Sequence, residues 1–478
     1  MRANELAVSP QDRANRGAWY TPRAIAELIA ARAFGPGVPS FVVDPTCGGG
    51  AFLLAALDAF VGRGVTPEEA VSRVAGLDID PQAVATARDV IRIWAQGHGL
   101  ASVEPLLDVG DALDAWPRDW PVPELVLGNP PFASPLRATK SRSSADLPPA
   151  AAAFRERHRT ELGPYADLAA MHLLNAAHRV HPETGRLVMV LPQSMLAGRD
   201  AAPLRDWLDR ELPLEDLWIS GEKLFDANVR VFVPILARSG EPSGQTWTEA
   251  AATEMGVPDP GLSSSASRLG SMCEATAGFR DEYYAMAEAC VEGDVDDARC
   301  RLATVGSVEP LEVLWGKVPT RFAKSLWERP VVDDAAVPEK MRPWFERQQV
   351  PKVLLPTQAR ILEPYVDRSG TVVPITPLLS ITAADPAALD LVAAVLLAPA
   401  VSAWAARRGF GSALSVNAIK LRAADVLDIP LPSNQAKWEE AAALVPLGPS
   451  AIDRIAALMH DAYGGNAALM AWWQTRRG

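Results

Sequence analysis

Between residues 40 and 240, short apolar runs rich in β-branched side chains alternate with stretches whose apolar positions recur every three or four residues. SFVVDP (40–45), SRVAGLDID (72–80), ELVLGNPPF (124–132) and GRLVMVLP (185–192) read as strands. GAFLLAALDAFVGRG (50–64), PQAVATARDVIRIWAQGHG (81–99) and DLAAMHLLNAAHRVH (167–181) read as helices, the second opened by proline and both of the first two closed by glycine. LEDLWIS (214–220) and VRVFVPILARS (229–239) read as two more strands that pair with each other. Such alternation predicts an α/β fold, doubly wound around a mostly parallel sheet.

Around 240–275 the texture changes. SGEPSGQTW and PDPGLSSSASRLGS are rich in Gly, Pro and Ser, as boundary loops are, and beyond them the strand–helix alternation is lost while tryptophans (Trp315, Trp327, Trp344) gather. The expected organisation is a first domain over 1–240, a second of irregular α+β type over 241–432, and a helical segment over 433–478 in which Ser450 caps a helix at 451–464. The apolar stretch 391–406 falls short of the ~18 residues a membrane span needs and contains Pro399, so it reads as a buried helix.

Composition narrows the function classes. A net charge of −12 argues against a protein that coats nucleic acid, although it leaves room for a local basic cleft. The four cysteines (Cys47, Cys273, Cys290, Cys300) form no CxxC pair, which disfavours a structural zinc site and a disulfide framework. With no apolar run near the N-terminus to serve as a secretory signal, a reducing, cytoplasmic setting is expected.

DPTCGGGAFL (44–53) lies where a strand passes into a helix, so its glycines and the helix N-terminus can approach a ligand. On its own this is either a tight turn or a site for NAD, FAD or S-adenosylmethionine; G-x-G-x-x-G fits poorly and no Walker lysine follows. Asp78, at the end of the next strand, can bond ribose hydroxyls, with Asp80 as the cap of the helix that Pro81 begins. Asp111, in DVGDALDAWP (108–117), can accept from an adenine amino group. Three such loops in order at the carboxyl ends of a doubly wound sheet define a nucleotide-type pocket.

LVLGNPPF then gains a meaning. The Asn129 side-chain carbonyl and the Pro130 carbonyl are two acceptors that proline stiffens in place, and Phe132 adds a flat face. An exocyclic amine, whose lone pair is delocalised into its ring, becomes a nucleophile when two acceptors hold its hydrogens and favour a pyramidal nitrogen.

Taken together, WYTPRAIAELIA (19–30), DPTCGGGAFL, GLDIDP, GDALD and LGNPPF resemble, in that order, the motifs of γ-class amino DNA methyltransferases, the adenine-N6 group with a C-terminal specificity domain typified by the TaqI and Eco57I families. The resemblance covers residues 17–240 well and the remainder in outline. It implies a Rossmann-like, S-adenosylmethionine-dependent catalytic domain followed by a target-recognition domain, acting on double-stranded DNA by base flipping in a restriction-modification or phage-defence system with its subunits. Tyr20, Thr21, Pro22, Asp44, Thr46, Cys47 and Gly48 would border the methionine end of the cofactor. Asp78 would take the ribose, Ile79 would pack on the adenine, and Asp111 with Ala112 would meet its amino group. Asn129, Pro130, Pro131 and Phe132 would hold the target base, with Phe225 of GEKLFDANVRVFV (221–233) as a second packing aromatic.

Arg137, Lys140 and Arg142, in the basic stretch just past the NPPF tip, are candidate phosphate contacts, as are Arg407, Arg408 and Lys420. WGKVPTRFAKSLWERP (315–330) mixes tryptophan with basic residues as a DNA-facing segment would. No P-D…E-x-K nuclease constellation is seen, which argues against self-contained cleavage. Two alternatives stay open: a non-catalytic DNA-recognition subunit, and a methyltransferase of RNA or of a protein amide.

Overall fold

The computed structural model describes residues 21–132, 147–220, 230–239, 243–262, 267–278, 280–295, 298–411 and 418–477. The chain forms two compact units, Met1–Met255 and Gly256–Gly478.

In the first unit, helix α1 (Arg23–Phe34) precedes strand β1 (Val42–Asp44), followed by α2 (Ala51–Val61), α3 (Pro67–Ser72), β2 (Val74–Asp78), α4 (Pro81–Gly97), β3 (Leu106–Val109) and β4 (Leu125–Gly128). Then come α5 (Pro149–Arg157), α6 (Leu168–Ala177), β5 (Arg186–Met189), β6 (Leu191–Pro192), α7 (Ala202–Glu211), β7 (Leu214–Ile219), β8 (Val231–Ala237) and α8 (Trp247–Glu254). The sheet runs β3-β2-β1-β4-β5-β8-β6, with β7 also on β8. Its first five strands are parallel, whereas β8 is antiparallel to β5, β6 and β7. Strand order reverses between β1 and β4, and a ligand crevice opens at the carboxyl side of such a switch point.

Local sequence explains the elements. Along α4 the buried residues Ala83, Ala87, Ile91 and Ala95 fall four apart, one apolar stripe laid on the sheet, and Asp80 caps the helix by accepting from Gln82 N at 2.9 Å. Thr66 caps α3 and Asp167 caps α6 in the same manner. The strands β1, β4 and β8 are buried throughout, as expected of strands covered on both faces. Their apolar side chains meet α1 and α2 in one core, where Phe34 and Phe60 pack edge to face with centroids 4.9 Å apart.

The second unit holds β9 (Glu274–Ala277), β10 (Cys290–Glu292), β11 (Arg301–Ala303), the pair β12 (Val308–Glu309) and β13 (Glu312–Val313), the hairpin β14 (Thr320–Phe322) and β15 (Ser325–Trp327), β16 (Pro330–Val332), β17 (Lys352–Pro356), β18 (Tyr365–Asp367), β19 (Val372–Pro374) and β20 (Leu378–Thr382). One sheet is antiparallel in the order β18-β17-β20-β9; a second, mixed sheet runs β10-β16-β11-β19. Its apolar stretch 391–406 is buried as expected but divides into two helices, Ala388–Leu396 and Pro399–Arg408, bent by 65° because Pro399 cannot continue the first. Ser450 does not cap the following helix. Its hydroxyl donates to Leu447 O within the 3-10 turn Val445–Ala451, and Ala451 occupies the cap position of Ile452–Ala462. Among the described residues no single helix is long and apolar enough to cross a membrane.

The two antiparallel strands β17 and β18 pair Lys352 opposite Asp367, and both side chains are fully buried with Nζ–Oδ2 at 2.7 Å. Neither charge is left short of partners: Lys352 also donates to Gln348 O and Val350 O, while Asp367 accepts from the N–H groups of Gly370, Thr371 and Val372 and from Ser369 Oγ. Burial lowers the Lys352 pKa, and the Asp367 carboxylate works against that loss. Lys352→Met strands Asp367 in the interior and should cost about 3–5 kcal/mol, seen as a fall in the urea midpoint of unfolding.

Candidate functional site

Four loops meet at the carboxyl ends of β1–β4, and Asp78 bonds two of them to its own. Its Oδ2 accepts from Gly48 N at 2.8 Å, its Oδ1 accepts from Asp80 N at 2.9 Å, and its backbone carbonyl accepts from Gly110 N at 2.9 Å. Cys47 N adds a bond to Leu77 O at 2.9 Å, so the glycine loop is tied to β2 twice in succession. Burial raises the Asp78 pKa, and the N–H donors of Asp80 and Gly48 oppose the shift.

The glycine loop can take this path because Gly48 and Gly50 lie in the left-handed region, at φ 49° and 84°. No side chain caps α2, whose first turn opens directly from the loop. Asp44, 2% exposed at the end of β1, accepts from Thr46 N at 3.0 Å. Burial pushes its carboxyl up to about 8, the Thr46 N–H acting in the opposite direction. This carboxylate fits against β4 only because residue 128 is glycine: a Cβ there would lie 2.5 Å from Asp44 Oδ1. Cys47 is buried, and burial holds its thiol well above the usual range.

Ile79 stands at the rim of β2, 69% exposed. Asp111 turns its Oδ1 onto Leu113 N at 2.9 Å, closing a local turn. Ala112 is buried, and its carbonyl accepts from Asn175 Nδ2 at 2.6 Å and from Trp116 Nε1 at 3.1 Å. Asn175 is a residue the motif reading missed. It is 5% exposed on α6, and its Oδ1 accepts from Arg179 Nε, whose guanidinium lies over the Trp116 ring at 5.1 Å. A lone Asn followed four residues later by Arg in the otherwise apolar LLNAAHR was the available signal.

The NPPF tip leaves β4 directly. Asn129 Nδ2 donates to Thr21 Oγ1 at 3.1 Å, joining residues 108 positions apart. Thr21 is buried, and Pro22 is the residue from which α1 begins. Pro130 is buried, while Pro131 and Phe132 are half-buried, with Phe132 packed against the main core.

Tyr20, Phe225, Arg137, Lys140 and Arg142 lie outside the described residues. The second-unit basic residues are not equivalent. Arg407 is 9% exposed and donates to Val257 O at 3.1 Å, so its guanidinium is an internal tie and is withdrawn as a phosphate contact. Arg408 pairs with Asp425 and Asp428, whereas Lys420 is exposed with no ion-pair partner among the described residues.

The strand order, the glycine turn and the acids at the sheet's carboxyl edge are those of an S-adenosylmethionine-dependent methyltransferase fold. Within that class the chain belongs to the N-6 DNA Methylase family, whose profile matches residues 6–248. No curated protein matches it. Solved structures similar to the chain include a type I restriction-modification system methyltransferase subunit from Streptococcus thermophilus, at 23% identity and TM-score 0.36, covering 48% of this chain and 45% of that one. The type IIG restriction endonuclease BpuSI is similar at 11% identity and TM-score 0.45, covering 98% and 67%. A nuclease-deletion mutant of the Type ISP restriction-modification enzyme LlaGI, solved with a DNA substrate mimic, is similar at 12% identity and TM-score 0.49, covering 90% and 47%. The chain thus spans about half the length of the Streptococcus subunit. S-adenosylmethionine is the cofactor expected of this fold and family, and the residues fit it: a glycine cradle without Cβ atoms, an uncapped helix N-terminus, a carboxylate at the end of β2 and an exposed apolar Ile79 beside it.

Two measurements test the geometry. Gly128→Ala forces Asp44 aside and should destabilise the chain by about 1–3 kcal/mol in urea titration. Asp44 keeps its proton in the fold until about pH 8 but ionises near 4 when unfolded, so its contribution to stability is complete below pH 4 and is lost as pH rises through 8. Thermal melts from pH 5 to 9 should therefore fall more steeply for the wild type than for Asp44→Asn.

Proposed function

We propose that this chain is a site-specific DNA methyltransferase that modifies adenine N6 in double-stranded DNA, within a restriction-modification or phage-defence system. The observation that carries the reading is the Asn129–Thr21 bond at the end of β4, which ties the NPPF tip to the Thr-Pro segment ahead of the glycine loop. The Thr-Pro segment coming first, then the glycine loop, the two acids and NPPF, followed by a long second unit, supports the γ-class layout. In that layout residues 1–240 catalyse, 241–432 recognise the target, and 433–478 close the chain.

Asp78 takes the ribose hydroxyls of S-adenosylmethionine, Ile79 covers its adenine, and Asp111 with Ala112 flanks the adenine's amino group. Thr21, Pro22, Asp44, Thr46, Cys47 and Gly48 border the methionine portion, with Tyr20 beside them in the chain. When bound, the cofactor supplies an electrophilic sulfonium methyl. The chain's own work is done on the acceptor base. Because Asn129 uses its amide nitrogen on Thr21, its side-chain oxygen is the end directed to accept from an amine. That oxygen and the Pro130 carbonyl accept the two N6 hydrogens, which localises the nitrogen lone pair for attack. The proton shed on alkylation leaves along these same hydrogen bonds to solvent. Phe132 and Phe225 pack the base taken out of the duplex, whose unstacking costs on the order of a few kcal/mol. Lys420 and the stretch with Arg137, Lys140 and Arg142 are placed by this reading on DNA phosphates, whereas Arg408 is already matched to Asp425 and Asp428.

Asn129→Ala should abolish methyl transfer from radiolabelled S-adenosylmethionine to DNA, lowering the rate by at least about 100-fold, while calorimetry shows cofactor binding preserved. Label that reaches RNA or a protein but not DNA overturns the substrate assignment. Modification-sensitive sequencing of DNA from cells expressing the chain identifies the base and the site.

A further inference from the structure

The β14–β15 hairpin turns through Ala323 and Lys324, both in the left-handed region at φ 51° and 67°. A two-residue turn of this hand suits the twist of paired strands, but it ordinarily recruits Asn and Gly because a Cβ is disfavoured there. The second unit holds it regardless. Ala323 N donates to the Tyr283 hydroxyl at 3.1 Å, and Tyr283 packs edge to face on Phe322 with centroids 4.9 Å apart.

The anchoring leaves the hairpin two-sided. Thr320 and Phe322 are buried at 4% and 1%, whereas Arg321 and Leu326, paired across the strands on the opposite face, are exposed, Leu326 by 66%. Among the described residues neither Arg321 nor exposed Lys324 has an ion-pair partner. What sets the two apart from other exposed cations of the unit is that they stand with Leu326 on one anchored hairpin, whereas Arg268, Arg342, Arg368 and Arg422 are each matched to an aspartate.

We infer that this hairpin is a DNA-contacting finger of the second unit, with Lys324 on a backbone phosphate and Arg321 and Leu326 facing the base edges of a groove. The inference rests on the reading of the chain as a DNA methyltransferase. A two-stranded ribbon fits the major groove, an arginine there reads guanine, and an apolar side chain meets the thymine methyl. Charge complementarity selects the occupant: two unmatched cations beside one exposed leucine, on a net-acidic chain, fit a polyanion. The anchored turn presents them already ordered, so little freedom is lost on contact.

The test uses the full-length chain with fluorescently labelled fragments of plasmid DNA that the wild type methylates. Arg321→Ala/Lys324→Ala should bind these fragments about tenfold more weakly, and the slope of log affinity against log salt should shrink by about one. Calorimetric binding of S-adenosylmethionine should be unchanged, and Lys340→Ala, an exposed lysine of the same unit that is not part of the hairpin, should bind DNA as the wild type does. Should the double variant fail to fold, Lys324→Gly suits the turn better than lysine while removing its charged side chain, and it should still lower the salt slope. Wild-type affinity and slope in these variants, or an equal loss in Lys340→Ala, overturn the finger. A wild type that binds S-adenosylmethionine but transfers no methyl to any DNA overturns instead the reading on which it rests.

Discussion

Asp78 is the side chain on which the candidate site depends. Three loops from three different strands must hold a common crevice. A single half-buried carboxylate supplies the missing constraint by bonding to the glycine loop and to its own turn, while its carbonyl reaches the loop after β3. Its burial is costly for a charge, and the backbone N–H donors that surround it offset that cost. The same group then has two duties, because a carboxylate spent on organising the loops is also the one proposed to meet the ribose. Geometry and recognition are thereby coupled at one residue.

Much of this was legible in the residues. The alternation of strand and helix patterns from 40 to 240 yields the doubly wound sheet, and strand ends were found where Asp44, Asp78 and Asn129 stop apolar runs. The Asp80 cap was readable because a carboxylate before proline has a local mechanism. What could not be read was whatever depends on partners distant in the chain. Nothing in YTP and NPPF says that Thr21 and Asn129 touch, nor that Asn175 reaches across to Ala112. Arg407 and Arg408 look alike in sequence, yet one is consumed by a backbone carbonyl and the other by two aspartates, since each neighbour comes from elsewhere in the second unit. Ser450 failed as a cap for a related reason: a 3-10 turn with its own hydrogen bonds won the residues that a regular helix start would have used.

The chain's acidic balance is compatible with the DNA substrate proposed above, because charge is managed locally. Several arginines in both units are neutralised locally, by Glu215 at Arg186, by Glu104 at Arg88 and Arg92, and by Asp390 at Arg368. Such pairs add little stability at a surface, but they lower the positive potential around themselves.

The buried Lys352–Asp367 pair has a consequence for how such a molecule can change over time. The cross-strand frame of the second unit is closed by charges that satisfy each other and the adjoining backbone, so the order of β17 and β18 does not draw on the outward-facing hairpin positions such as Arg321 and Leu326. Changes at those outward-facing positions can accumulate without touching the core beneath, to which Phe322 belongs. A frame closed from within in this way lets its outward face change while the fold is inherited intact.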